Sequence, residues 1–344
     1  LYHRETTNPG IWALPFSASK LERAGEPFLV AAQGMRHSLS QDGTLTYVRG
    51  LAGDLRQLVW LNREGKVEGA IGEPQRGLMF PELSPDGRRV SVSAGEEISR
   101  DIWIYDVARN TRSRLTFTEL EERISTWSPA GNQIVFDTRE GGWTLVSRAV
   151  DGTGQPQTLT KGQYPSLSRD GRFLAYVVLG EKTAQDLWQL KMEGDRKPAA
   201  FLEAPGAQIY PRFSPDGRFL AYTSNEAGRN EIYIKPFPGG EGKWQVSFNV
   251  GAQPRWSRGG DKLYFLAQGV TLMEVDVAAR PSLALGTPRK VFSGDLVGVE
   301  LLQGYDVAPD GKRFLAVQMV ARREGRQPGI TVVENWLAEF KRKK

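Results

Sequence analysis

Two histidines, no cysteine and forty acidic residues bound the chemistry open to this 344-residue chain. The absence of cysteine removes thiolate catalysis, disulfides and Cys-ligated zinc. A Ser-His-Asp arrangement or a His-based metal site would have to use His3 or His37. No Gly-x-Ser-x-Gly elbow, Walker loop, zincin motif or EF-hand loop occurs, and no protein-kinase signature. Carboxylates such as Glu96, Glu97, Asp101, Glu119, Glu121 and Glu122 have the oxygen chemistry of a hard-cation site. They lack Asp-x-Asp spacing and read as solvated loops. No catalytic residue, metal or cofactor is therefore expected.

What remains is a set of polar and aromatic residues at recurring positions. The phrase apolar-Ser-Pro-Asp-Gly, or a close variant, returns seven times, with its Ser (or Ala308) at 40, 84, 128, 168, 214, 257 and 308. Two positions earlier stand Ser38, Glu82, Thr126, Ser166, Arg212, Arg255 and Asp306. Four positions earlier stand Arg36, Phe80, Ile124, Tyr164, Tyr210, Gln253 and Gly304. If these segments converge on one axis, they give a polar, mixed-charge channel with aromatics near one mouth. His37, Phe80, Glu82, Arg123, Tyr164, Tyr210, Arg212, Arg255, Tyr305 and Asp306 are the candidate binding residues. Arg212 and Arg255 could grip an acidic or peptide-like ligand. Alternatively they pair with Glu82 and Asp306 to hold the ring, a reading favoured because buried polar groups need partners.

The elements that must position these residues follow from the spacing. A period of roughly 40–45 residues with four strands per unit marks a propeller blade. In the copy at Ser214, Pro215-Asp216-Gly217 is a turn in which Pro presets φ and Gly supplies a positive φ. Phe219 to Thr223, Glu231 to Phe237 and Trp244 to Phe248 then read as second, third and outer strands. The copies with Ala130 and Gly259 lack the turn Asp, but Asn132 and Asp261 follow the Gly and keep a turn signal. Trp127, Phe213 and Trp256, just before the motif, read as packing between blades. The fold expected is all-β: a seven-bladed propeller, with eight or six blades as alternatives, four antiparallel strands per blade, closed by pairing of N- and C-terminal strands. Residues 1–333 would form this single ring, with the Phe28 strand completing the last blade after Ile330-Thr331-Val332-Val333. Residues 334–344 would form a short basic helix or tail, docked through Trp336, Leu337 and Phe340. The start at Leu1, in mid-repeat, reads as part of a longer protein.

With 40% hydrophobic and 25% charged residues the composition is that of a globular protein. No apolar run reaches the length of a membrane helix. The net charge of +5 is scattered apart from Lys341-Arg342-Lys343-Lys344, which reads as a basic surface and not as a specific nucleic-acid site. A monomeric ring is expected.

The phrase Phe213-Ser214-Pro215-Asp216-Gly217-Arg218-Phe219-Leu220-Ala221-Tyr222, with Ser224-Asn225-Glu226 and Glu231-Ile232-Tyr233, resembles TolB-type, WD-like propeller repeats. A second likeness is carried by Gly194-Asp195-Arg196-Lys197-Pro198, Gly242-Lys243-Trp244-Gln245-Val246-Ser247, Gln253-Pro254-Arg255-Trp256, Tyr305-Asp306-Val307 and Ile330 to Trp336. It is similar to the C-terminal propeller of large bacterial proteins, notably from acidobacteria, where a serine/threonine kinase or winged-helix domain lies upstream. The resemblance implies a non-catalytic sensing or interaction domain binding a protein, peptide or small acidic ligand at one face. An independent periplasmic scaffold is the alternative, and a hydrolase or lyase at the channel mouth is a third reading without a motif. The compartment, periplasm or cytoplasm, would depend on what lies upstream.

Overall fold

The computed structural model describes residues 1–4, 10–17, 19–32, 34–49, 55–96, 99–180, 183–279, 282–294, 299–320 and 329–336. The chain divides into two compact units, Leu55–Met319 and a second built from Leu1–Asp54 and Val320–Lys344.

The turn motif explains the hairpins of the larger unit. The Ser214 hydroxyl donates to Asp216 at 2.6 Å and accepts the Phe219 amide at 3.0 Å. The Asp216 carboxylate accepts the Arg218 amide, and Gly217, at φ 71°, returns its amide to the Ser214 carbonyl. The copies at Ser84 and Ser168 repeat this network. Where the turn Asp is missing, Asn132 and Asp261 accept the Ser128 and Ser257 hydroxyls from beyond the Gly, and both hairpins persist.

Each hairpin opens a four-stranded antiparallel blade. Blade 1 is Met79–Leu83, Arg89–Glu96, Ser99–Asp106 and Thr111–Arg114. Blade 2 is Glu121–Trp127, Gln133–Arg139, Trp143–Ala149 and Gln157–Lys161. Blade 3 is Gln163–Leu167, Phe173–Val178, Asp186–Lys191 and Pro198–Leu202. Blade 4 is Gln208–Phe213, Phe219–Ser224, Glu231–Pro236 and Trp244–Gln245. Blade 5 is Gly251–Trp256, Lys262–Ala267 and Thr271–Ala278, with Arg289–Ser293 outermost. Blade 6 joins the two ends of the unit: Tyr305–Val307 and Phe314–Met319 continue onto Leu55–Leu61 and Val67–Arg76.

Period-two alternation sends the two sides of each inner hairpin into different neighbours. Phe219 and Ala221 pack on Leu263 and Phe265 of blade 5, whereas Leu220 and Tyr222 pack on Ala175 and Val177 of blade 3. Among the described residues of this unit there is one such cluster for each pair of consecutive blades, including blade 6 against blade 1 through Leu58, Val317, Val90 and Val92. The innermost strands contact one another in the same cyclic order. Trp127 and Trp256 lie in these clusters and each donates its indole N–H to a carbonyl of the preceding blade, of Glu82 and Arg212 respectively.

The described residues of this unit thus form six blades, one of the alternatives to seven. The motif copy at Ser40 lies in the other unit, where Gly34–Leu39 and Leu45–Arg49 take Gly329–Val333 as their third strand. The Phe28 strand does not complete the last blade. Phe28–Ala32 pairs with Gly10–Ala13, which pairs with Tyr2–Arg4. The strand it would have followed, Gly329–Val333, pairs with Leu45–Arg49, and Phe314–Met319 has Leu55–Leu61 as its partner over six residue pairs. Ile11, Ala31, Leu45, Tyr47 and Trp336 form the core of this second unit. The Trp336 amide donates to the Gly43 carbonyl at 3.1 Å. Leu337, Phe340, Glu97 and the basic tail lie outside the described residues.

Candidate ligand-binding site at the channel mouth

The inner strands carry a repeated irregularity that sets the channel lining. Phe80, Tyr164, Tyr210 and Gln253 each precede a proline and each adopts a φ between 53° and 55°. Strand pairing skips at these points, between Met79 and Glu82, Gln163 and Ser166, Ile209 and Arg212, and Ala252 and Arg255. The result is a bulge, which bends a strand and re-aims the side chains after it. Two residues on stand Glu82, Ser166, Arg212 and Arg255; with Thr126 and Asp306 at the equivalent positions of blades 2 and 6, they line a single cavity of about 430 Å³, one residue from each blade. Pro85, Pro129, Arg169, Pro215 and Arg258 also line it, so it opens toward the motif turns.

Its charged groups are largely buried and interlocked across the ring. Arg212 Nη2 lies 3.1 Å from Glu82 Oε2, spanning blades 4 and 1. Arg255 Nη2 reaches the same oxygen at 3.9 Å, and Arg255 Nε stands 3.8 Å from Asp306 Oδ1. Asp306 Oδ2 accepts the Leu83 amide at 2.7 Å, tying blade 6 to blade 1. Arg212 also donates to the Pro165 carbonyl, and Arg255 to that of Tyr305. Arg255 Nη1 is buried without a hydrogen-bond partner. Burial pushes the Glu82 carboxyl up to about 7, against the pull of Arg255 and the Thr126 hydroxyl. Burial likewise raises Asp306 to about 6, Arg255 opposing and the Glu82 charge adding. Burial thus shifts both carboxyls well above the usual carboxylate range, Glu82 further than Asp306.

The structure brings together four of the sequence candidates, Glu82, Arg212, Arg255 and Asp306, as cavity lining. The others are placed elsewhere. Phe80, Tyr164 and Tyr210 sit on the bulges and do not line the cavity; Tyr164 and Tyr210 pack edge to face at 4.7 Å. Arg123 lies over the Trp143 ring at 3.6 Å and donates to Gln163. Tyr305 is fully buried and donates its hydroxyl to the Gln253 carbonyl. His37 belongs to the other unit, half-buried in the strand Gly34–Leu39. The aromatics lining this cavity beside the arginines are Trp127, Phe213 and Trp256.

Two lining residues escaped the sequence reading. Arg169 and Arg258 occupy the slot that Pro85, Pro129, Pro215 and Pro309 fill in other copies. Both are exposed, and Arg169 Nη1 donates to the Arg258 carbonyl at 3.3 Å across the mouth. Among the described residues neither is in an ion pair. The signal was the exchange of a turn proline for arginine in two copies, visible only when the copies are aligned on one another. The serines at the mouth are committed elsewhere: Ser168, Ser214 and Ser257 hydroxyls hold the turns. No group of His, Asp and Glu suited to a metal ion occurs among the described residues, nor a helix long and apolar enough to cross a membrane.

No protein-family profile matches the chain. Among solved structures, a putative TolB from Agrobacterium tumefaciens is similar at TM-score 0.60 and 17% identity, covering 78% of this chain and 99% of that one. Hydrazine synthase from Kuenenia stuttgartiensis is similar at TM-score 0.55 and 14% identity, covering 87% of this chain and 94% of that one. A chain of a nidogen/laminin complex gives TM-score 0.50 at 10% identity, over 68% of this chain and 94% of that one. At these identities the likeness concerns architecture alone: this chain shares the β-propeller fold.

Proposed function

We propose that this propeller is a non-catalytic interaction module that takes an acidic peptide or protein segment at the mouth formed by the Ser-Pro-Asp-Gly turns. The observation that carries this reading is the charge balance of one cavity. Four guanidinium groups, of Arg169, Arg212, Arg255 and Arg258, surround it with only two carboxylates, of Glu82 and Asp306, so positive charge is in excess there. An anion entering there meets fixed charges in a partly dehydrated site, where they act more strongly than in water. Commitment of the mouth serines to the turns supports a binding role over a hydrolytic one.

Fluorescence anisotropy of a labelled octaglutamate peptide tests the reading. The wild type should bind it and reject octalysine, and Arg169→Ala/Arg258→Ala should weaken binding at least about tenfold, the loss of two charge-assisted contacts. Equal affinity of wild type and double variant would remove the site from consideration.

The resemblance carried by Gln253-Pro254-Arg255-Trp256 and Ile330 to Trp336 supports a place as the regulatory part of a bacterial signalling protein such as a serine/threonine kinase. The other reading is an independent periplasmic scaffold. Sequencing the gene upstream of the Leu1 codon separates them: kinase motifs support the first, a signal peptide alone the second.

A further inference from the structure

We propose that Glu82 is a built-in surrogate for the ligand, its carboxylate occupying the Arg212–Arg255 pair until an incoming carboxylate displaces it and Glu82 takes up a proton from solvent. This rests on the binding reading above and adds how the site is regulated. The geometry carries it. Glu82 Oε2 lies within reach of two guanidinium groups from different blades, at 3.1 Å and 3.9 Å, as a ligand carboxylate bridging them would. Glu82 belongs to blade 1 and Arg212 to blade 4, opposite it in the cycle, so their ion pair spans the cavity that both line. The second carboxylate is placed differently. Asp306 is fixed by the amides of Leu83 and Val307, at 2.7 Å and 2.8 Å, and serves the closure of the ring. No backbone amide is bonded to the Glu82 side chain among the described residues; side chains alone, of Arg212 and Thr126, hold it, so it is the less firmly anchored of the two carboxylates.

The charges facing Glu82 are few. Arg212 comes from blade 4, Arg255 from blade 5 and Asp306 from blade 6; blades 2 and 3 contribute the uncharged Thr126 and Ser166; Arg169 and Arg258 stand at the rim. Once displaced from the arginines into this dehydrated floor, a Glu82 carboxylate has lost its cationic partners. It then holds a proton more tightly than before. The balance is one ligand carboxylate in, one proton from solvent onto Glu82, no covalent change. Ligand affinity should therefore fall as pH rises above neutrality, by up to about tenfold per pH unit for one linked proton.

The test is calorimetric titration of octaglutamate into the protein, in two buffers of different ionisation enthalpy, at pH 6.5, 7.5 and 8.5. Expected are proton uptake approaching one per site at pH 8.5, and its disappearance in Glu82→Gln together with about tenfold tighter binding at that pH. Asp306→Asn removes the same charge from the same cavity and should retain the uptake, which separates displacement from mere loss of repulsion. Glu82→Ser, which uncovers the arginines, serves if Glu82→Gln does not fold. Binding lost in Arg169→Ala/Arg258→Ala but without proton uptake, and unchanged in Glu82→Gln, would overturn the surrogate role and leave the binding site standing. No binding by wild type but binding by Glu82→Gln supports the surrogate role. No binding by either protein overturns both.

Discussion

The serine of the turn motif has two jobs that its short side chain does at once. Ser214 Oγ donates a hydrogen bond to Asp216 and accepts one from the Phe219 amide, in a residue only 4% exposed. Ser214→Ala should cost about 1–3 kcal/mol, the penalty of leaving that buried amide without an acceptor, measured by urea unfolding. Burial acts differently on a carboxyl in blade 2. Glu122 is 2% exposed, and burial raises its carboxyl to about 7, the hydroxyls of Thr116 and Thr118 opposing and Asp101 adding. The folded state therefore holds this proton more tightly than the unfolded chain. The stability it carries is complete below about pH 4.5 and is lost as pH rises to about 7. Glu122→Gln does not titrate, so its melting temperature should gain on the wild type from pH 5 to about pH 7 and level off above it. A difference that is constant over this range would show that Glu122 is ionised throughout. At this scale the sequence was legible wherever chemistry is local. The turn, its substitution by Asn132 or Asp261 and the packing of Trp127 all follow from neighbours in the chain. The Glu82–Arg212 pair spans 130 residues, and no local pattern announces which carboxylate meets which arginine.

At the scale of elements, glycine separates two kinds of constraint. Gly217 sits in the turn at φ 71° with nothing within 4 Å of where a Cβ would stand. Gly217→Ala meets only the backbone cost of the left-handed region, about 1–2 kcal/mol. Gly72 bulges the outer strand of blade 6 at φ 66°, and an added Cβ would come to 2.3 Å from the Tyr105 ring of blade 1. Gly72→Ala must therefore also repack that fully buried ring, and should lose clearly more than Gly217→Ala in the same urea series. Equal losses would mean that the blade 6–blade 1 contact yields freely. The first of these glycines was readable from the motif. The second was not, because its constraint comes from a ring in a different blade. The inner-strand bulges illustrate the same limit. An aromatic before proline repeats in three copies, at Phe80, Tyr164 and Tyr210, but their left-handed φ accompanies a skip in strand pairing that the repeat does not spell out.

For the whole unit the consequence of closure is that no blade is terminal. Seven written repeats suggested seven blades because a turn motif reports a hairpin, not the origin of the strand that joins it. The hairpin at Ser40 takes its third strand from Gly329–Val333, while the hairpin at Ala308 takes Leu55–Leu61. That choice puts the closure of the six-bladed unit inside blade 6, where it is a full antiparallel ladder and not a mere contact of ends. In an open stack of repeats, a core deletion near an end frays that end, whereas one in the middle weakens two interfaces. In a closed cycle the two positions are equivalent. Leu58, on the closing strand, and Leu220, in the middle of blade 4, are both completely buried at a blade interface. Leu58→Ala and Leu220→Ala should each cost about 2–5 kcal/mol. Each should leave one cooperative transition for this unit, coincident when circular dichroism is compared with fluorescence from tryptophans confined to it. A separate early transition in Leu58→Ala alone would show that blade 6 opens before the rest, and that the ladder between Phe314–Met319 and Leu55–Leu61 is a weak seam.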